Sequence, residues 1–267
     1  MRAFLPLFAA AFTLFIHPYL CMEIIGGSEA IPHSWPFIAY ISTPGNHGPE
    51  LCGGTLINQS WVLTAAHCTI KDTTTIKLGL HSLSKEDEFV QTFQVSNWHR
   101  HPHYNRVTFD NDVQLVQLSG KAKLTTGVKP RKLPTTFSDV EPGTICESAG
   151  WGITSNDSNS GSDKLLEVNL PAISREKCAA MWKLHKITKN MMCTLDALGG
   201  KTTCNGDSGG PLICQGQLRG VVSFGPKNNC GNAEYPPGFA FLNENIVNWI
   251  TGGIKNVNWI KREMIKK

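Results

Sequence analysis

Short apolar runs broken by Gly, Pro, Asn and Ser punctuate this chain: Phe37–Ile41, Trp61–Ala66, Val113–Leu118, Gly220–Phe224 and Gly238–Leu242. Runs of five or six residues suit buried strands and are too short for core helices. Their repeated punctuation by turn formers predicts an all-β sandwich or barrel, with no alternation of helices and strands. One helical stretch stands out, Asn243–Ile250, with an extension past Gly252-Gly253. The hydrophobic share of 41% provides core for one compact unit or two small ones. The sequence carries no repeat, low-complexity tract or cofactor motif, so no cofactor is expected.

The N-terminus fixes the expected compartment. Arg2 followed by the apolar stretch Ala3–Ile16, broken by Pro6, describes a secretory signal peptide over 1–21. A membrane-spanning helix would need about 20 apolar residues. Tyr19-Leu20-Cys21 is not a clean small-x-small cleavage pattern, and an earlier cut would leave Cys21 as an unpaired thiol. Cysteines stand at 21, 52, 68, 146, 178, 193, 204, 214 and 230; removing Cys21 leaves an even set suited to an oxidising compartment. On the order of a hundred pairings of that set exist, and spacing does not choose among them. Asn58-Gln59-Ser60 and Asn156-Asp157-Ser158 fit the N-glycosylation pattern, the second in a polar stretch that reads as an exposed loop. The expected product is secreted, extracellular or held in a secretory granule.

Three segments carry chemistry. Cys204-Asn205-Gly206-Asp207-Ser208-Gly209-Gly210-Pro211 suits a backbone loop built around one hydroxyl. Serine is a weak nucleophile at neutral pH and needs a base within hydrogen-bond reach. Leu63-Thr64-Ala65-Ala66-His67-Cys68 is an apolar strand ending in a turn that offers one. Asn111-Asp112-Val113-Gln114-Leu115 sets a carboxylate at the head of another apolar strand, where it can orient an imidazole. Each segment alone reads more readily as an ordinary turn or a satisfied core histidine. In the order His, Asp, Ser, with Ile24-Ile25-Gly26-Gly27 upstream, they resemble the chymotrypsin-like (trypsin-fold) serine proteases over residues 24 to about 250.

That resemblance implies two six-stranded antiparallel β-barrels of the chymotrypsin type with a C-terminal helix. The first barrel would span 24–134 and carry His67 and Asp112. The second would span 135–242 and carry Ser208 and the S1 pocket, with the helix and a basic tail over 243–267. It implies Ser208 as nucleophile, His67 as base, Asp112 as its orienter, and Ser223 as a hydrogen-bond donor to Asp112. Asp110 reads as a solvated loop charge. The N–H groups of Gly206 and Ser208 would form the oxyanion hole, and the disulfides would be Cys52–Cys68, Cys146–Cys214, Cys178–Cys193 and Cys204–Cys230. Asp207 would pair with the α-amino group of Ile24 freed by proteolysis. The acidic dipeptide Met22-Glu23 resembles that of granzymes, which a dipeptidyl peptidase removes. Ile24–Glu29, Pro32-His33-Ser34 and Leu78–Lys85 look like granzymes A and K. No cysteine lies near His103, where granzyme A has its subunit-linking cysteine, so a monomer is expected.

One position departs from that subgroup. Thr202 stands where granzymes A and K place the aspartate that selects Arg or Lys. A neutral hydroxyl cannot pair a buried guanidinium. Thr203, Gly225, Gly238 and Ala240 complete the implied pocket, giving a deep neutral slot for a large apolar or aromatic residue; an inward Lys201 would select acidic residues instead. Protein substrates and serpin-type inhibitors are the implied partners. The tail 254–267 holds five basic residues against Glu263, within a net charge of +4 for the chain, and invites acidic proteoglycan or heparin-like chains. No base-reading motif accompanies the charge, so nucleic acid is not expected. Trp98–His103 lacks the ligand set of a metal site because Pro102 prevents a regular helix and no carboxylate or cysteine completes it. The competing reading is a catalytically silent homologue, or a stored zymogen acting as a binding protein.

Overall fold

Most residues of β2 (Ile38–Thr43) and β7 (Gln114–Leu118) are buried, as in strands covered on both faces. A closed sheet packed against a second body provides that cover. The computed structural model describes residues 24–157, 160–183, 185–226 and 229–255. The expected signal peptide with Cys21, Met22-Glu23 and the tail beyond Lys255 lie outside the described residues.

β2, β3 (Glu50–Asn58), β4 (Trp61–Thr64), β5 (Thr75–Leu78), β6 (Gln91–Arg100) and β7 close into an antiparallel barrel in the order β2-β3-β4-β7-β6-β5. Ile41, Leu56, Val62, Ile76 and Val116 belong to one core cluster in this barrel. The second barrel contains β8 (Ile145–Gly150), β9 (Leu166–Ile173), β10 (Met191–Thr194), β11 (Pro211–Cys214), β12 (Gln217–Phe224) and β13 (Gly238–Phe241). Its order is β9-β10-β13-β12-β11-β8, closed by the β8–β9 pairing. The chain is two six-stranded antiparallel barrels.

The chain ends cross over between them. β1 (Ser28–Glu29) adds to the second barrel, with Ser28 opposite Glu167, and Ile24 is fully buried among Val168, Met192 and Phe241. Residues 24–29 therefore pack with the second barrel, outside the boundary drawn from the sequence. Helix α2 (Glu244–Lys255) returns the other way: Ile246, Val247 and Ile250 join Trp61, Leu63, Val113 and Leu115 of the first barrel. Asn243 caps α2, its Oδ1 accepting from the Ile246 N–H at 3.1 Å.

A second helix corrects the one-helix expectation. α1 (Arg175–Met181) is capped by Ser174, whose Oγ accepts from Lys177 N–H at 3.1 Å. Cys178 is its one buried residue and is bonded to Cys193 on β10. So short a segment carries no readable period, and tertiary anchoring holds it. The other disulfides join Cys52 to Cys68, Cys146 to Cys214 and Cys204 to Cys230.

Between the barrels lies one apolar cluster fed by both, in which Leu115 meets α2: a Cβ built on Gly253 would stand 3.3 Å from Leu115 Cδ1. Leu115→Ala should therefore cost about 2–5 kcal/mol, read as a lower denaturant midpoint with an unchanged slope. A cost under about 1 kcal/mol would mean that α2 settles into the vacated space.

Candidate active site

β4 runs from Trp61 to Thr64 and breaks into a turn, with Cys68 N–H donating to Ala65 O at 3.2 Å. A buried polar residue holds that turn. Gln114, at the head of β7, donates its Nε2 hydrogens to Ala65 O (2.7 Å) and Cys68 O (2.8 Å). The Cys52–Cys68 bond anchors the next residue to β3. His67 is thereby presented beside Asp112, with its N–H on Asp112 Oδ1 at 2.8 Å and its Nδ1 2.7 Å from Oδ2. Ser223 Oγ donates to the same Oδ2 at 2.5 Å. Asp112 is fully buried, and a buried carboxylate is tolerable only with such partners. Because a carboxylate only accepts, the Nδ1–H is directed at Asp112, which leaves Nε2 to the cleft.

Ser208 sits across the barrel boundary in a tight loop. Its carbonyl accepts from Gly53 N–H of β3 at 2.7 Å, and Gly209 N–H bonds Val222 O at 2.8 Å. Gly206 has φ +98°, and a Cβ there would lie 2.9 Å from Gly152 Cα, so the loop requires glycine at this position. His67 and Ser208 face one cleft of about 240 Å³, lined also by Phe109, Thr203, Phe224 and Gly225.

The residues expected to form a specificity pocket are not all placed on this cleft. Thr203 and Gly225 border the cleft, but Thr202, Gly238 and Ala240 are buried and do not line it. Thr202 Oγ1 donates to Thr203 O at 3.0 Å. Phe224 pairs with Gly238 across β12 and β13, and its ring tip comes 2.0 Å from where a Gly238 Cβ would stand. The glycine leaves room for a neighbouring ring, which takes the space beside it. Asn156, the preferred glycosylation candidate, has both ends of its amide bonded to Cys230 (Nδ2 to O 3.0 Å, Oδ1 from N–H 2.8 Å). Asn58 Oδ1 accepts from Ser60 N–H at 2.8 Å.

Sequence reading missed several residues at this site. Phe109 packs edge-on against His67 with centroids 5.7 Å apart. Together with Trp182, His185, Phe224 and Tyr235 it lines an adjoining apolar cavity of about 360 Å³. Phe224 ends β12, Trp182 and His185 follow α1, and Phe109 and Tyr235 lie in two further loops, so the set shares no sequence signal. Gln114 had one: a lone amide in an apolar strand. Asp110 is not a free loop charge, since its Oδ1 accepts from Thr188 Oγ1 (2.5 Å) and Asn190 Nδ2 (3.0 Å).

A family model described as Trypsin matches residues 24–250. The chain belongs to the trypsin family. Granzyme A of Bos taurus is 40% identical over 238 residues, covering 88% of this chain and 89% of the relative. Duodenase-1 of Bos taurus is 39% identical over 203 residues, covering 76% and 80%. Trypsin I-P1 of Gallus gallus is 39% identical over 228 residues, covering 85% and 88%. The chain is a chymotrypsin-like serine endopeptidase of the granzyme and mast-cell subgroup. Identities this similar across differently named relatives do not assign a specificity, which must come from the residues themselves.

Asp207 is the other fully buried carboxylate among the described residues of this trypsin-family chain. Its oxygens accept from Gly152 N–H (2.8 Å) and Cys204 N–H (2.9 Å). Burial pushes its pKa up to about 6 against the lowering pull of those two bonds. A folded-state pKa above the unfolded value means that the folded chain holds the proton more tightly. The stability advantage over Asp207→Asn should thus be greatest below about pH 4 and decline as pH rises to about 6, by on the order of 3 kcal/mol. Denaturant unfolding of the unprocessed chain and of Asp207→Asn across pH 4–7 reads this difference. A pH-independent difference would contradict the account of Asp207.

Proposed function

We propose that Ser208, His67 and Asp112 carry the endopeptidase reaction, the carrying observation being the buried Asp112 carboxylate that fixes the His67 imidazole with Nε2 free in the cleft shared with Ser208. In this reading Nε2 takes the Ser208 hydroxyl proton as Oγ attacks the peptide carbonyl, and then delivers it to the departing amine. Water enters the same way to release the acyl group. Asp112 stays ionised and stabilises the imidazolium, with Ser223 as a further donor. The N–H groups of Gly206 and Ser208 receive the developing oxyanion.

Activation follows from the N-terminal segment. Ile24 is fully buried, and Thr202 N–H donates to Ile25 O at 3.0 Å, so residues 24–25 already lie under the serine loop. In the unprocessed chain Ile24 has φ +46°, a costly value for a β-branched residue. That torsion runs through the bond to Glu23 and disappears when the bond is cut. Cleavage by a dipeptidyl peptidase frees an amine for Asp207, whose charge would then be paired. Fluorophosphonate labelling separates the readings: protein beginning at Ile24 should label at Ser208, protein beginning at Met22 should label far more slowly, and Ser208→Ala should not label. No labelling of the Ile24 form would mean a catalytically silent homologue.

The cleft predicts the residue accepted before the scissile bond. Among the described residues its lining contains no carboxylate, while Phe109, Phe224 and Pro226 make it apolar. Arg or Lys would be desolvated there without a charge partner. Leu and Met fit beside Phe224, whereas Phe and Tyr need its ring to turn aside. On peptides differing at that residue alone, kcat/KM for Leu or Met should exceed that for Arg or Lys by about a hundredfold. Phe224→Ala should raise Phe and Tyr relative to Leu. A preference for Arg or Lys would overturn this pocket reading. Secretion with granule storage, proteoglycan binding through the basic tail and serpin inhibition complete the proposal, supported by the disulfides, the N-terminal apolar segment and the charge of residues 254–267.

A further inference from the structure

We infer that Asp110 is a positioning residue that clamps the Asp112 loop of the first barrel onto the second barrel, and so sets the geometry between His67 and Ser208. The inference rests on the triad reading above. Asp110 lies two residues before Asp112. Its Oδ1 receives Thr188 Oγ1 at 2.5 Å and Asn190 Nδ2 at 3.0 Å, while Oδ2 receives Asn111 Nδ2 at 3.1 Å. Thr188 and Asn190 precede β10 in the second barrel. Asn190 is itself held, its Oδ1 accepting from Asn243 Nδ2 at 2.8 Å and its carbonyl from Phe241 N–H at 2.8 Å. Asn243 is the cap of α2, which packs back on the first barrel. The clamp is therefore anchored in both barrels.

The backbone shows why the loop needs an anchor. Phe109 and Asn111, on either side of Asp110, both have φ +56°. Asn tolerates the left-handed region, but Phe does not adopt it without restraint. Such conformations persist only where their surroundings hold them. Here the conformation sets Phe109 edge-on against His67 and delivers Asp112 to the His67 Nδ1. The same loop also meets the second barrel through Ser223 Oγ on Asp112 Oδ2 at 2.5 Å and through Phe109 beside Phe224, whereas Ser82 Oγ to Asp163 Oδ2 at 2.8 Å belongs to a different loop. Loss of the Asp110 bonds would free the loop to relax, moving Asp112 and the Phe109 edge of the cleft relative to Ser208, while Thr203, Phe224, Gly225 and Pro226 of the lining stay with the second barrel.

The test uses the processed enzyme beginning at Ile24, one peptide substrate and fluorophosphonate labelling. Asp110→Ala should lower kcat about tenfold or more, with KM within about twofold, and slow labelling in parallel. Asp110→Asn keeps an oxygen that can accept from Thr188 and Asn190 and should recover most of the loss. Thr188→Val combined with Asn190→Ala should reproduce the defect from the opposite barrel, and adding Asp110→Ala should then cost little more. If Asp110→Ala does not fold, Asp110→Asn and the Thr188/Asn190 pair decide the matter. A kcat within twofold of wild type, a loss carried by KM, or additive effects would overturn the clamp. Failure of the wild-type enzyme to label would instead sink the triad reading itself.

Discussion

The apolar seam between the barrels is what the rest of this molecule depends on. Trp61, Leu63, Val113 and Leu115 from one barrel share a buried cluster with Ala149, Trp151, Ile213 and Val221 from the other. The proposed reacting groups are divided across that seam, with His67 and Asp112 on one side and Ser208 on the other. Neither barrel alone holds a complete site. Close-packed interiors resist small displacements, so a continuous core can fix the relation between two loops that no strand joins. The crossed termini strengthen the arrangement, since residues 24–29 pair with the second barrel and α2 packs on the first.

Two carboxylates are buried beside this seam, in opposite situations. Asp112 has three donors, two of them from His67, and it meets a side chain that can become cationic during the reaction. Asp207 has two backbone donors, and burial raises its pKa to about 6. In the proposed mechanism Asp112 works at every turnover. Asp207 waits for a single event, the release of an amine at Ile24. While Glu23 remains attached, Ile24 holds its strained φ of +46°.

The chemistry-bearing residues were legible because their types are rare in such settings. A hydroxyl between glycines, a histidine closing an apolar strand and a carboxylate opening another are locally conspicuous, and the structure brings His67, Asp112 and Ser223 into contact and sets Ser208 in the same cleft. Asp110 was misread because sequence shows charge and loop position but not the Thr188 and Asn190 side chains arriving from the other barrel. The ring that lies beside Gly238 was not legible for a related reason. Gly238 removes its own side chain, but the space went to Phe224 on the neighbouring strand. Helix α1 escaped notice because a seven-residue segment held by a cap and a disulfide has no period to detect.

By itself the sequence determined the strand-rich class, the oxidising compartment expected from its cysteines, and the residue types available for nucleophile, base and orienter. Those properties follow from local pattern and intrinsic chemistry, which a chain carries wherever it folds. Tertiary structure alone decided what fills the specificity cleft, which carboxylate is paired, and how the Asp112 loop is held to the opposite barrel. Each of these depends on groups far apart in sequence meeting at about 3 Å, and hydrogen bonding and packing weaken steeply beyond such distances.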